Sequence, residues 1–192
     1  MTRRLSLIVT DTSPLITLAV ADSLGALLLP GLPVALPDAV YFEATRVRTA
    51  AGASRLVEWI NANAALVRIV PTEIGVDQQR RLEEGRTIRG LGEQAAIEVL
   101  DRLLTERGDV AALLLFEDTD LLRRHAVVDE RVTLVSTGDF LRGLQAARLI
   151  QSADQILDDA ARAGRNVGRQ RSRPGDDGAA PIVQAWLNDR PR

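Results

Sequence analysis

The chain has 192 residues, of which 46% are hydrophobic, and its 24 basic and 26 acidic side chains leave a net charge of -2. It contains no cysteine, no lysine and one histidine. Disulfides, thiolate nucleophiles, thiolate zinc sites, P-loops and Schiff-base lysines are therefore excluded. Carboxylates, hydroxyls and arginine remain to carry any chemistry, and carboxylate oxygens are ligands that suit Mg²⁺ or Mn²⁺.

Short apolar runs alternate with helical patterns along the chain. The apolar runs predict strands at residues 5–9, 34–36, 66–70, 110–116 and 132–135. The helical patterns predict helices at residues 13–19, 37–47, 53–60, 93–105, 120–126, 140–147 and 153–163. Ser13 is expected to cap the first of these helices, with Pro14 at its first position. The alternation predicts an α/β protein whose mostly parallel sheet is covered on both faces.

The composition changes after Ala163, where arginines at positions 165, 169, 171 and 173 stand among small and polar residues. We therefore expect a compact domain over residues 1–165 and an Arg-rich, flexible C-terminal tail over residues 166–192. Binding of RNA or of a partner protein is the other role considered for this tail. The first apolar run is too short for a signal peptide or a membrane span, which predicts a cytoplasmic protein that does not associate with a membrane.

Acidic residues follow several of the predicted strands. Ligands of parallel α/β sheets bind beyond the carboxyl ends of the strands, so acids at those positions are informative. Four acids from separated segments are candidates to meet there: Asp11, Glu43, Glu93 and Asp118. Each also has an ordinary explanation, because Asp11 and Asp118 could be turn or cap residues and the two glutamates could be helix acids. No single acid is specific.

A convergent set of carboxylates implies a cation, because packed carboxylates repel one another unless their charge is neutralised. One or two divalent ions could do so, and such ions activate water and stabilise the oxygens of a phosphoryl displacement. Hydrolysis of phosphodiester bonds is the reaction class that uses carboxylates and divalent ions in this way. It does not require histidine, cysteine or lysine.

The order and spacing of four segments resemble a PIN domain. These segments are residues 11–16 (Asp-Thr-Ser-Pro-Leu-Ile), residues 37–43 ending at Glu43, residues 92–97 (Gly-Glu-Gln-Ala-Ala-Ile) and the acids after residue 116. The likeness covers about residues 5–160. It is strongest to the branch of the family that has an Asp-Thr-Ser-Pro-Leu start and a Gly-Glu acidic helix.

The resemblance implies a three-layer α/β/α fold and an endoribonuclease that depends on Mg²⁺ or Mn²⁺. Many such proteins are VapC-like toxins, which implies an RNA substrate, a cognate antitoxin protein and a homodimer. By the same resemblance, Asp11, Glu93 and Asp118 hold the metal, and Glu43 orients or deprotonates the attacking water. Asp120 is a further candidate ligand.

Three residues have supporting roles in this interpretation. Glu117 could replace Asp118 or Asp120 as the fourth acid, because three acids lie within four residues. Ser13 could hydrogen-bond a metal ligand or the phosphate, although helix capping explains it equally well. Thr137 could face the same pocket, with an ordinary turn as the other explanation.

A ribonuclease also needs groups that hold phosphates. Arginines beside the acidic positions are the candidates, namely Arg46, Arg86, Arg89 and Arg123. Solvated helix faces with paired charges are the alternative. Aromatic residues make up only 3% of the chain, so base stacking cannot be the main means of binding.

Two other functions remain as alternatives. The first is a catalytically weak or inactive domain of the same fold that binds RNA or protein. The second is a phosphatase similar to haloacid dehalogenases. Those enzymes carry the motif Asp-x-Asp after the first strand, whereas this chain has Asp11-Thr12-Ser13, with a serine in place of the second aspartate.

Overall fold

The structure is a computed structural model that describes residues 5–86, 90–108, 110–117, 129–168, 170–171 and 180–188. Within these ranges five strands form one parallel sheet in the order β3-β2-β1-β4-β5. The strands are β1 (Leu5–Thr10), β2 (Val34–Pro37), β3 (Val67–Val70), β4 (Ala111–Phe116) and β5 (Val132–Ser136). The expectation of a mostly parallel sheet is confirmed.

In the described part of the chain, helices connect β1 to β2, β2 to β3 and β3 to β4 and cover the sheet. The predicted helix at residues 120–126 lies outside the described residues. A short 3-10 helix (Leu24–Leu28) follows the first α-helix. The α-helices are α1 (Thr12–Val20), α2 (Asp38–Thr45), α3 (Ala53–Ala62), α4 (Glu73–Glu83), α5 (Gly92–Glu106), α6 (Thr137–Ala146), α7 (Ala153–Arg162) and α8 (Ala180–Asn188). In the described part of the chain, none of these helices is both long and apolar enough to cross a membrane.

Side chains alternate along each strand, so each strand presents apolar side chains on both faces of the sheet. Helices cover both faces and bury these side chains. On one face, Ile8 of β1 and Leu113 of β4 share a core with α1, α3, α6 and α7. On the other face, Val9 and Leu114 pack against Val99 and its neighbours on α5. The result is the three-layer α/β/α arrangement.

The strand order places a switch point between β1 and β4. The chain builds the sheet from β1 outward through β2 to β3, and then returns to add β4 and β5 on the other side of β1. Residues 10 and 115 are register partners across this junction. Loops that leave two neighbouring strands in opposite directions open a crevice at their carboxyl ends, where ligands of such sheets bind.

Helix starts differ from the sequence expectation at several places, and one of these is α6, which begins at Thr137 and not at residue 140. The N-cap of α1 is Asp11, and the helix begins at Thr12, so the assignment of Ser13 as the cap is wrong. Helix α4 was not predicted from the pattern. Its cap is Thr72, whose hydroxyl accepts from the N–H of Gly75, and Glu98 of α5 accepts from the N–H groups of Glu73 and Ile74.

The chain does not leave the core at residue 165. Val167 is buried, and Val183 of α8 is 1% exposed and packs in the same core as α6. The described residues of the segment expected to be a tail therefore pack on the domain, because a few apolar side chains among many polar ones are enough to anchor them.

Candidate functional site

Asp11 lies at the switch point of the sheet. It directly follows β1, and its backbone N–H donates to the carbonyl oxygen of Leu115 on β4 at 3.0 Å. The residue is partly buried, at the N-terminal end of α1. A carboxylate therefore lies at the carboxyl end of β1, beside β4.

Glu43, on α2, is held by two donors from different parts of the chain. The Thr12 hydroxyl donates to Oε2 at 3.0 Å, and the N–H of Leu91 donates to Oε1 at 2.9 Å. Thr12 is the neighbour of Asp11, so one hydrogen bond ties Glu43 to the start of α1. Both carboxylate oxygens are oriented by the protein.

The N-terminal end of α5 approaches Asp11 closely at Gly92. A Cβ atom at this position would lie 2.6 Å from Thr12 Oγ1 and 2.9 Å from Asp11 Oδ1. Such contacts are closer than real Cβ atoms tolerate, so only glycine lets the helix begin here. The next residue is Glu93, whose negative charge acts on Asp11.

Glu117 directly follows β4 and is the fourth carboxylate near Asp11. Its side chain is 10% exposed. Thr137, the first residue of α6, donates to Oε1 at 2.8 Å, and Arg165 donates to Oε2 at 3.1 Å. Both oxygens of this acid are therefore engaged, one by a hydroxyl and the other by a guanidinium.

The pKa of Asp11 is raised from 3.8 to about 6. Burial is the largest cause, and the negative charges of Glu43, Glu93 and Glu117 add to it, while the backbone of Thr12 acts in the opposite direction. The negative charges of three other carboxylates thus act on Asp11, and its burial makes its own ionised form unfavourable.

Hard carboxylate oxygens are ligands that fit Mg²⁺ or Mn²⁺, and the negative charges of three other acids act on Asp11. Within the described ranges, however, no group of three or more Asp, Glu or His side chains is arranged to hold a metal ion. Protein donors already contact both carboxylate oxygens of Glu43 and of Glu117.

Several predicted residues lie elsewhere or outside the described ranges. Asp118, Asp120, Arg89 and Arg123 are not among the described residues. Ser13 faces this region through its main chain, because its carbonyl oxygen accepts from Arg165 at 3.3 Å.

The arginines differ in their surroundings. Arg46 is exposed at the end of α2, and Arg86 is exposed and paired with Glu84. Arg165, which was assigned to no site, contacts the acidic cluster directly. Its Nε donates to Thr17 Oγ1 at 3.1 Å, in addition to the two bonds from Nη2. No sequence signal marked Arg165, because its partners lie far away along the chain.

Comparisons with protein-family models, with curated proteins and with solved structures give no match for this chain.

Proposed function

We propose that the protein is a metal-dependent endoribonuclease of the PIN type, which hydrolyses phosphodiester bonds of RNA. The observation that carries the proposal is the meeting of Asp11, Glu43, Glu93 and Glu117 at the switch point of a parallel sheet. The Asp-Thr-Ser-Pro-Leu and Gly-Glu motifs supply two of these acids. The absence of cysteine and lysine leaves carboxylate chemistry as the available route.

In this proposal Asp11 and Glu93 bind Mg²⁺ or Mn²⁺, together with Asp118 or Asp120. The bound ion would supply Lewis-acid activation of water and neutralisation of phosphate charge. Glu43 orients the attacking water and accepts its proton. The hydrogen bonds from Thr12 and Leu91 keep the carboxylate of Glu43 in one orientation, as a general base requires.

The resemblance to VapC-like toxins also supports a proposal about the cellular role of the protein. We infer a cytoplasmic toxin that acts on RNA, forms a homodimer and is held inactive by a cognate antitoxin protein. Arg46 and Arg86 are exposed and are the described candidates for contacts with RNA phosphates, with Arg89 and Arg123 as further candidates. Each such contact would make binding more dependent on salt.

A second candidate function is a domain that binds RNA or protein with little or no turnover. Two observations favour it. Among the described residues, no set of three acids is arranged for a metal ion, and Glu43 and Glu117 are each held by two protein donors. The two functions differ in whether RNA is cut.

The test is cleavage of total RNA and of a fluorescent oligonucleotide with Mg²⁺, with Mn²⁺ and with EDTA. We expect cleavage with either metal, loss with EDTA and loss in Asp11→Asn and Glu93→Gln. The exposed acids Asp101 and Glu58 provide the matched controls Asp101→Asn and Glu58→Gln, which should cut as the wild type does. Cleavage that survives both EDTA and Asp11→Asn would contradict the proposal. RNA binding without cleavage, unchanged by Asp11→Asn, would support the second function.

A further inference from the structure

The chain beyond α7 returns to the acidic cluster as a C-terminal strap, defined here as residues 165–168, 170 and 171. Gln170 is 3% exposed and joins the strap to α6. Its Oε1 accepts from the N–H of Gly138 at 3.2 Å, and its carbonyl oxygen accepts from Arg142 at 2.9 Å. The strap therefore has a defined docking position at the start of α6.

Two glycines of α6 make room for the C-terminal part of the chain. A Cβ at position 138 would lie 1.9 Å from the carbonyl oxygen of Gln170, and one at position 143 would lie 2.5 Å from Val183. Neither glycine has a positive φ, so backbone conformation does not require them. Close packing of the strap and of α8 explains both residues.

The docked strap brings Arg165 to Glu117. The guanidinium donates to the carboxylate, to the carbonyl oxygen of Ser13 and to the hydroxyl of Thr17, and thus links β4 to α1. Nε2 of Gln170 approaches the carbonyl oxygen of Glu117 at 3.5 Å.

We propose that Arg165 is a positioning residue of the carboxylate site, delivered by the C-terminal strap, and that it acts through Glu117. This inference rests on the proposed function. Arg165 supplies positive charge beside Glu117 and fixes the carboxylate of this residue, whose negative charge acts on Asp11. Without the guanidinium, the buried Glu117 loses its charged partner and leaves the Thr137 hydroxyl as it turns toward solvent, because an unpaired buried charge is costly.

The test compares Arg165→Met with Arg165→Lys and with the control Arg171→Met. Arg171 lies in the same strap, but it forms an exposed ion pair with Asp158 on α7. RNA cleavage is measured at saturating Mn²⁺, and kcat is expressed per folded molecule from circular dichroism. We expect Arg165→Met to lower kcat by about tenfold or more and to change KM by less than about twofold. Arg165→Lys should recover part of the rate, and Arg171→Met should match the wild type.

Unchanged kcat per folded molecule in Arg165→Met would overturn the inference while leaving the proposed function intact. A raised KM with unchanged kcat would also overturn it, since Arg165 would then bind substrate rather than position Glu117. If Arg165→Met does not fold, Arg165→Lys decides: a lower kcat in the folded protein supports the inference, and a wild-type kcat overturns it. Absence of cleavage by the wild-type protein contradicts the proposed function, and this inference falls with it.

Discussion

Neutralising Asp11 should make the metal-free protein more stable while it removes the proposed activity. The pKa of Asp11 is raised from 3.8 to about 6, so the folded protein is less stable with this group ionised than with it protonated. Each tenfold change in proton affinity corresponds to about 1.4 kcal/mol. The cost of ionising Asp11 in the fold is therefore about 3 kcal/mol at most. We expect Asp11→Asn to raise the free energy of unfolding by roughly 1–3 kcal/mol at pH 8 in EDTA.

The sign of the pH dependence follows from the raised pKa. Asp11 is protonated in both the folded and the unfolded chain well below pH 4, so the wild type pays no ionisation cost there. The cost appears between pH 4 and about 6 and is complete above pH 6. The advantage of Asp11→Asn over the wild type should therefore be small at pH 4 and full at pH 8.

Urea unfolding at both pH values, in EDTA, measures this difference directly. The matched control is Asp101→Asn on the exposed side of α5, which should change stability by less than about 0.5 kcal/mol at either pH. Equal or lower stability of Asp11→Asn at pH 8 would refute the reasoning, because it would show that the ionised carboxylate of Asp11 does not destabilise the fold. A gain of the same size at pH 4 would refute it as well.

Three further predictions test the packing of the site and of the C-terminal segment. Gly92→Ala should destabilise the fold by about 1–3 kcal/mol in urea unfolding, because its Cβ would lie 2.6 Å from Thr12 Oγ1; unchanged stability would contradict the close approach. Thr12→Val should cost about 1 kcal/mol and lower kcat, since Glu43 loses a donor, whereas Thr12→Ser should match the wild type; equal kcat in both variants would count against this role of the hydroxyl. Gly143→Ala and Val183→Ala should each destabilise by about 2 kcal/mol, and the double variant should lose less than the sum by at least about 0.5 kcal/mol, since the smaller side chain leaves room for the new methyl group. Strict additivity in thermal unfolding would argue against their contact.

Local patterns predicted the sheet and the position of Asp11. The apolar run of β1 ends at a single acid before a helix, and the run of β4 is the most apolar in the chain, so both strands could be identified without knowledge of their partners. Gly92 and Glu93 could be predicted in the same way, from a glycine followed by a strong helical pattern. These features depend on neighbours in sequence, which a single chain displays.

Helix α4 was not predicted because most of its residues are polar or charged, so few apolar side chains mark a buried face. Two of its first N–H groups donate to Glu98 on another helix, a contact that the local sequence does not indicate. The surroundings of Glu117 could not be predicted for a related reason. Its partners Thr137 and Arg165 lie on later segments of the chain, so no local pattern links them to this acid.

The packing of the C-terminal segment could also not be predicted from the local sequence. Its many arginines and small residues are typical of a solvated tail, whereas Val167, Gln170 and Val183 are buried among its described residues. The glycines at positions 138 and 143 are the residues that leave space for this segment. Glycine in a helix usually lowers stability, so these two residues could be recognised only once the chain packed against them was known.

The strap also sets the order in which the site can form during protein synthesis. Arg165 is separated from Ser13 by 152 residues and from Glu117 by 48. The ribosome releases the chain from its N-terminus, and early segments begin to fold first. A nascent chain can therefore pair β1 with β2 long before Arg165 has emerged, but the guanidinium contact to Glu117 must wait until residue 165 has left the ribosome. The cluster at the switch point is thus completed only after all the strands of the sheet have been synthesised.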